Sequence, residues 1–154
     1  MVNNELVYTD DNNNYVVIMC NVVEKLYSHK QITPSDLEAA GVLIGERRGN
    51  HIVIYEISEP GPDDIRKRTL VNRKGSHHQK TVNAYFEKSK GELQYLGEWH
   101  THPEDIPSPS STDITSWMLN IESSLPIVLL IVGNRQFWLG KKEDNNIIIL
   151  NEKI

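Results

Sequence analysis

Gly97-Glu98-Trp99-His100-Thr101-His102-Pro103, followed shortly by Pro109-Ser110-Ser111-Thr112-Asp113, is the stretch around which the chain is organised. Leu93 to His100 reads as a strand and Ser110 or Ser111 to Ser123 as a helix, joined by a short proline-rich loop. If the strand runs on through His102, His100 and His102 project to one face, because strand side chains alternate with period two. Their α-carbons then sit roughly 6.5 Å apart, and both imidazoles can converge on one ion at ~2.0–2.1 Å. Pro103 ends the pairing and turns the chain.

Each half of this stretch has a plainer reading. His-x-His alone could be two histidines on a solvated strand face. Ser110-x-x-Asp113 alone could be a capping box, with Ser110 as N-cap and Asp113 at N3. Joined by so short a loop, the two halves point to a metal centre of His100, His102 and Asp113. Two imidazoles and one carboxylate leave one tetrahedral position open, which is how catalytic zinc is held, whereas structural zinc is closed by four protein ligands. Iron or manganese could take the same ligands, but imidazole plus carboxylate in a tetrahedral set favours zinc.

Working outward, Leu6 to Tyr8 and Tyr15 to Met19 are short apolar runs separated by the turn cluster Asp10 to Asn14. Asn21 to Lys30 spaces Val22, Val23, Leu26 and Tyr27 as an amphipathic helix would. Glu38 leads into Ala39-Ala40-Gly41-Val42-Leu43-Ile44-Gly45, and the turn Arg48-Gly49-Asn50 makes a hairpin with His51 to Ser58. Residues 77 to 90 read as helical around Val82, Tyr85 and Phe86, and strands are expected at 126–132, 135–141 and 146–151. Strands with interspersed helices in so short a chain imply an α/β (α+β) fold, a single mixed β-sheet flanked by helices.

The bulk numbers narrow the function classes. The 154 residues suit one domain, 1–154. A net charge of −5 argues against a cationic face for duplex DNA or anionic lipid. Cys20 is the sole cysteine, so no internal disulfide forms, and its place after Tyr15-Val16-Val17-Ile18-Met19 suggests plain core rather than a nucleophile. No apolar run approaches the ~20 residues of a membrane helix, and Met1-Val2-Asn3-Asn4-Glu5 lacks signal-peptide features. A cytoplasmic protein is expected. His77 and His78 read as loop residues, since no carboxylate stands at metal spacing from them. Trp99, Trp117 and Trp138 read as core, and Glu46 as a solvent-facing residue of the hairpin turn.

The motif His100-x-His102-x7-Ser110-x2-Asp113, with Glu38 and the small-residue strand ending at Gly45 upstream, resembles the signature of the JAMM/MPN+ metalloproteases, the JAB domain. The resemblance covers about residues 20 to 150. It implies a cytidine-deaminase-like fold, one zinc ion held by His100, His102 and Asp113, and Glu38 as general acid/base. It also implies that Ser110 supports the tetrahedral intermediate. Without the resemblance, Glu38 would not be separable from the other acidic residues.

The family cleaves peptide or isopeptide bonds, often after the C-terminal glycine of ubiquitin or a ubiquitin-like protein. The short form with Gly97-Glu98-Trp99-His100-Thr101-His102-Pro103 looks most like bacterial JAB isopeptidases of anti-phage operons that use a cGAS-like nucleotidyltransferase (CD-NTase). The implied partner is a protein with an extended C-terminal tail, either ubiquitin-like or a conjugated nucleotidyltransferase, and the implied reaction is its deconjugation. Ser110 to Pro126 has no room for the long insertion with which some eukaryotic members hold ubiquitin. Arg66 to Lys80 is basic, with Arg66, Lys67, Arg68, Arg73, Lys74 and Lys80, and is either a solvated loop or a substrate contact. Two other readings stand beside this one: a non-catalytic MPN-type scaffold, and a DNA-repair-associated JAB protein. The retained ligand set argues against the first and the acidic balance against the second.

Overall fold

The computed structural model describes residues 4–67, 71–72 and 75–154, with Val71 and Asn72 described by their backbone alone. Eleven strands and three helices alternate along these residues. β1 (Leu6–Thr9) and β2 (Tyr15–Ile18) form a hairpin and lead into α1 (Cys20–Tyr27). β3 (Ala40–Arg48) and β4 (His51–Ile57) form the second hairpin, followed by the short pair β5 (Ile65–Arg66) and β6 (Val71–Asn72). After α2 (His77–Lys88) come β7 (Gln94–Thr101), α3 (Ser111–Asn120), β8 (Ile127–Val132) and β9 (Phe137–Glu143). β10 (Asn146–Ile149) and β11 (Asn151–Glu152) finish the series.

Nine strands join in one mixed sheet, ordered β10-β9-β8-β7-β3-β4-β2-β1-β11. The β2–β4 and β7–β8 pairings are parallel and the remainder antiparallel. β8 lies deep in this order and all six of its residues are buried, which is why Ile127 to Val132 is a continuous apolar run with no polar alternation. Its odd and even residues serve different layers. Val128, Leu130 and Val132 pack with Val22, Val23 and Leu26 of α1 in the main core, while Ile127, Leu129 and Ile131 pack under Trp117 of α3. On the α2 side, Val82 meets Val42 and Ile44 of β3. The expected α/β arrangement of one mixed sheet flanked by helices is therefore observed.

The order begins with β10 and ends with β11, yet only Leu150 separates these two strands in the chain. Leu150 is buried in the main core and its N–H donates to the Leu139 carbonyl of β9 at 3.0 Å. Residues 146–149 thus bond to β9 and residues 151–152 to β1, so one segment spans both margins of the curled sheet. The sequence reading of a single strand over 146–151 divides here because the segment changes partners at Leu150.

Three further expectations are corrected. Cys20 is exposed rather than core, because β2 ends at Ile18 and Met19 caps α1, so strand alternation stops before the thiol is reached. His77 and His78 open α2 instead of lying in a loop. Glu46 lies in β3, half-buried, with an ion pair to Arg48. Trp99 and Trp117 are buried as expected, and Trp138 is half-buried against the cluster beneath α3. Among the described residues, no helix is long and apolar enough to cross a membrane.

Candidate metal centre

β7 is an interior strand, paired antiparallel to β3 and parallel to β8, and this fixes where its last residues point. His100 pairs with Ala40 on one side and Ile131 on the other. The ladder runs one residue past the strand, since the His102 N–H donates to the Val132 carbonyl at 3.0 Å. His100 and His102 consequently share a face, as the period-two argument requires. Thr101, between them, is fully buried on the other face. Its hydroxyl accepts the Ala39 N–H at 2.9 Å and donates to Gln31 Oε1 at 2.8 Å.

Asp113 reaches the same point from α3. Ser110 caps this helix: its Oγ accepts the Asp113 N–H at 3.0 Å, while Asp113 Oδ2 accepts the Ser110 N–H at 2.9 Å. The capping box is therefore real and does not compete with the metal reading. It holds the carboxylate back toward the strand ends, where Oδ1 lies 3.3 Å from His100 Nε2 and Oδ2 lies 3.1 Å from His102 Nε2. The two Nε2 atoms are themselves 3.1 Å apart. Ligands of a tetrahedral zinc with bonds of ~2.0–2.1 Å stand ~3.3 Å from each other, and these three contacts, two of them to different oxygens of Asp113, are close to that spacing.

The surroundings would suit a metal ligand set. Glu104 Oε1 lies 2.9 Å from His102 Nδ1, a carboxylate partner that orients the ring so that Nε2 faces the centre. The loop carrying Glu104 is pinned to the β8–β9 turn, where the Asn134 N–H donates to the Glu104 carbonyl at 2.7 Å. The His100 ring stands 5.9 Å from Trp117, which stacks on Trp138. Burial would raise the Asp113 carboxyl, but hydrogen bonds from His100 and His102, the His100 charge and the Ser110 N–H hold it far below the usual carboxylate range. Burial pulls the His102 imidazole down, and the Asp113 and Glu104 carboxylates more than offset it, leaving its pKa above the ordinary value.

Glu38 lies just before β3 and lines, with His100 and Asp113, a cavity of about 470 Å³ whose other walls include Ala40, Glu98, Trp99 and Trp117. Only 8 % of Glu38 is exposed, so it is not a solvated surface charge. Burial is the main influence on its carboxyl and pushes it up to about 7; the His102 charge acts downward and the Asp113 charge upward. Three of the five sequence-expected residues, Glu38, His100 and Asp113, thus line one cavity, His102 stands against His100 and Asp113, and Ser110 joins them through the cap. Glu104 and Thr101 were missed. Glu104 could have been suspected from its place two residues beyond His102, whereas nothing but strand alternation marks Thr101.

A mixed sheet that delivers two histidines at the end of one interior strand and a carboxylate from the following helix cap is the arrangement that the resemblance to the JAB domain implies. The sequence profile of the prokaryotic homologues of the JAB domain matches residues 21–142, and this chain belongs to that family. It is 54 % identical over 151 residues to a "CD-NTase/cGAS isopeptidase" of Escherichia coli (strain TW11681), covering 98 % of this chain and 97 % of the relative. A protein of the same name from Vibrio cholerae serotype O1 is 55 % identical over 148 residues, covering 96 % of this chain and 95 % of its own length. In fold, the chain is similar to the solution structure of protein DSY2949 from Desulfitobacterium hafniense, with a TM-score of 0.57, 18 % identity and 88 % of each chain covered.

Proposed function

We propose that this chain is a zinc-dependent isopeptidase, hydrolysing the bond that joins the C-terminus of a ubiquitin-like or otherwise conjugated protein to its acceptor amine. The conjugated protein, on this reading, is a cGAS-like nucleotidyltransferase, and the setting is deconjugation in the bacterial cytoplasm during anti-phage defence. The names carried by the E. coli and V. cholerae relatives support the reaction and the substrate class. The observation that carries the proposal is the convergence of His100, His102 and Asp113, with contacts of 3.1–3.3 Å between the two Nε2 atoms and from each to one carboxylate oxygen, beside a cavity that Glu38 lines.

His100, His102 and Asp113 would hold the zinc, which when bound supplies an acidified water and a Lewis acid for the scissile carbonyl. Glu38, with its carboxyl near neutrality, takes a proton at one carboxylate oxygen and returns it to the departing amine. The Ser110 hydroxyl accepts the Asp113 N–H and still has its own proton to donate to the carbonyl oxygen as that oxygen gains charge. Glu104 keeps the His102 ring in register. Trp117, whose ring stands 5.9 Å from that of His100, forms an apolar wall beside the reacting groups.

The test is hydrolysis of a nucleotidyltransferase conjugate, with elemental analysis alongside. Glu38→Ala is expected to keep its zinc and fold while losing turnover by about 10²-fold or more. Asp113→Ala is expected to lose the metal. A Glu38→Ala protein with wild-type turnover removes the acid/base role, and undiminished zinc in Asp113→Ala removes the ligand assignment.

A further inference from the structure

A second polar cluster, Asp64 with His77 and His78, stands apart from the His100–His102–Asp113 centre. The Asp64 side chain has 0 % exposure and His78 only 4 %. Asp64 accepts the N–H groups of Gly61 and Gly75 at 3.1 and 2.8 Å, and its Oδ2 lies 2.8 Å from His78 Nε2. Burial would raise this carboxyl; the Gly75 and Gly61 bonds and His78 outweigh it and hold the pKa below the ordinary value. An ionised carboxylate can only accept, so His78 Nε2 carries the proton. On the other edge of the ring, Nδ1 lies 2.6 Å from Ser58 Oγ, and that oxygen also accepts the Val42 N–H of β3 at 2.9 Å. With Ser58 only 2 % exposed, the Ser–His–Asp sequence of contacts is sealed from substrate and serves no nucleophile.

What this chain of bonds holds is the segment that follows Asp64. Lys67 accepts the Glu38 N–H at its carbonyl at 2.6 Å. The Arg66 guanidinium donates from Nε to the Glu38 carbonyl at 3.0 Å and from Nη2 to the Leu37 carbonyl at 3.4 Å. Both backbone groups of Glu38 are therefore gripped by residues immediately beyond Asp64. Glu38 precedes β3 and lacks a ladder of its own, so this grip, with the Thr101 bond to Ala39, sets where its side chain stands.

We infer that the buried Asp64–His78–Ser58 chain is a positioning device for Glu38, tying the segment through Arg66 and Lys67 to α2 and β3. The inference rests on the reading of Glu38 as the acid/base. Asp64, His77 and His78 also offer metal-ligand atoms, but both ring nitrogens of His78 already have partners. His77 Nε2 lies 2.6 Å from the Glu59 carbonyl oxygen and 3.8 Å from Asp64 Oδ2. Hydrogen bonding therefore accounts for the cluster better than an ion does. Arg66 and Lys67, read from sequence as solvated loop or substrate contacts, take a third role of holding backbone; Arg68, Arg73 and Lys74 lie outside the described residues.

A double-mutant cycle tests this on the zinc-loaded enzyme. His78→Ala is expected to lower kcat about 100-fold, the cost of a misplaced catalytic group, with KM changed less than threefold and zinc content kept. Placed in a Glu38→Gln background, His78→Ala is expected to change the residual rate by less than twofold, because the residue it positions no longer transfers protons. Arg66→Met, a partly exposed change that spares the core, should follow the same pattern if His78→Ala does not fold. Losses that multiply in the double variants overturn the positioning role, and so does a second zinc per chain that His77→Ala removes. Glu38→Gln with wild-type kcat instead overturns the acid/base reading itself, which separates the two failures.

Discussion

At the scale of single residues, Glu38 holds an expensive position. A carboxyl that ionises at about 7 in the fold and near 4.5 in an open chain is protonated when folded and ionised when unfolded throughout that window. The native state then binds more protons than the unfolded one, so stability falls as pH rises from 4.5 to 7, and the penalty is complete above 7. Metal-free Glu38→Gln is expected to be more stable than metal-free wild type at pH 8, by on the order of 1–3 kcal/mol after allowance for solvent at the cavity mouth. The difference should disappear near pH 4.5. Urea unfolding at the two pH values checks it, and an equal difference at both would show that something other than the buried charge is responsible.

At the scale of elements, the α3 N-terminus does two jobs with one pair of residues. Ser110→Ala removes the cap and should cost about 1 kcal/mol of stability. It should also weaken metal retention against a chelator, since the Asp113 backbone loses its Oγ anchor and only the Ser110 N–H is left to hold the carboxylate. Ser110→Asp, which can cap without a hydroxyl proton, should restore stability; Ser110→Ala with unchanged chelator resistance would mean that Asp113 needs no help from the cap. The elements that carry the centre were legible because their signals are local: His100 and His102 by strand period, Asp113 by its distance from a capping serine, the β3–β4 hairpin by Arg48-Gly49-Asn50. What was not legible depends on contacts distant in sequence. Asp64 and His78 are fourteen residues apart and meet only because β4, the following loop and α2 fold together. Nothing within either segment announces the pair. Burial of Glu38 likewise depends on residues from β7 and on Lys67, far from its own neighbours in the chain. Cys20 was misplaced for a local reason, since an apolar run does not disclose where a strand gives way to a helix.

At the scale of the molecule, the curled sheet depends on Leu150, which is 5 % exposed in the main core at the point where the chain passes from β9 to β1. Leu150→Ala is expected to destabilise the whole protein by about 2–5 kcal/mol. Because the transition is expected to be cooperative, its midpoint followed by tryptophan fluorescence, which reports on Trp99, Trp117 and Trp138, should fall together with that followed by far-ultraviolet dichroism. Separate midpoints would mean that the seam opens independently of the sheet centre. The seam also bears on how the protein is made. Tyr8 and Thr9 find their outer partners in Glu152 and Asn151, which are made after every other strand of the sheet. A nascent chain can assemble β3, β7, α3 and β8 early, yet it carries two open margins until residues 146–152 have been made. The hydrolytic centre can therefore be in place before the sheet is shut, and in that interval the unshielded strands β1 and β9 are where chaperones or misassembly would act.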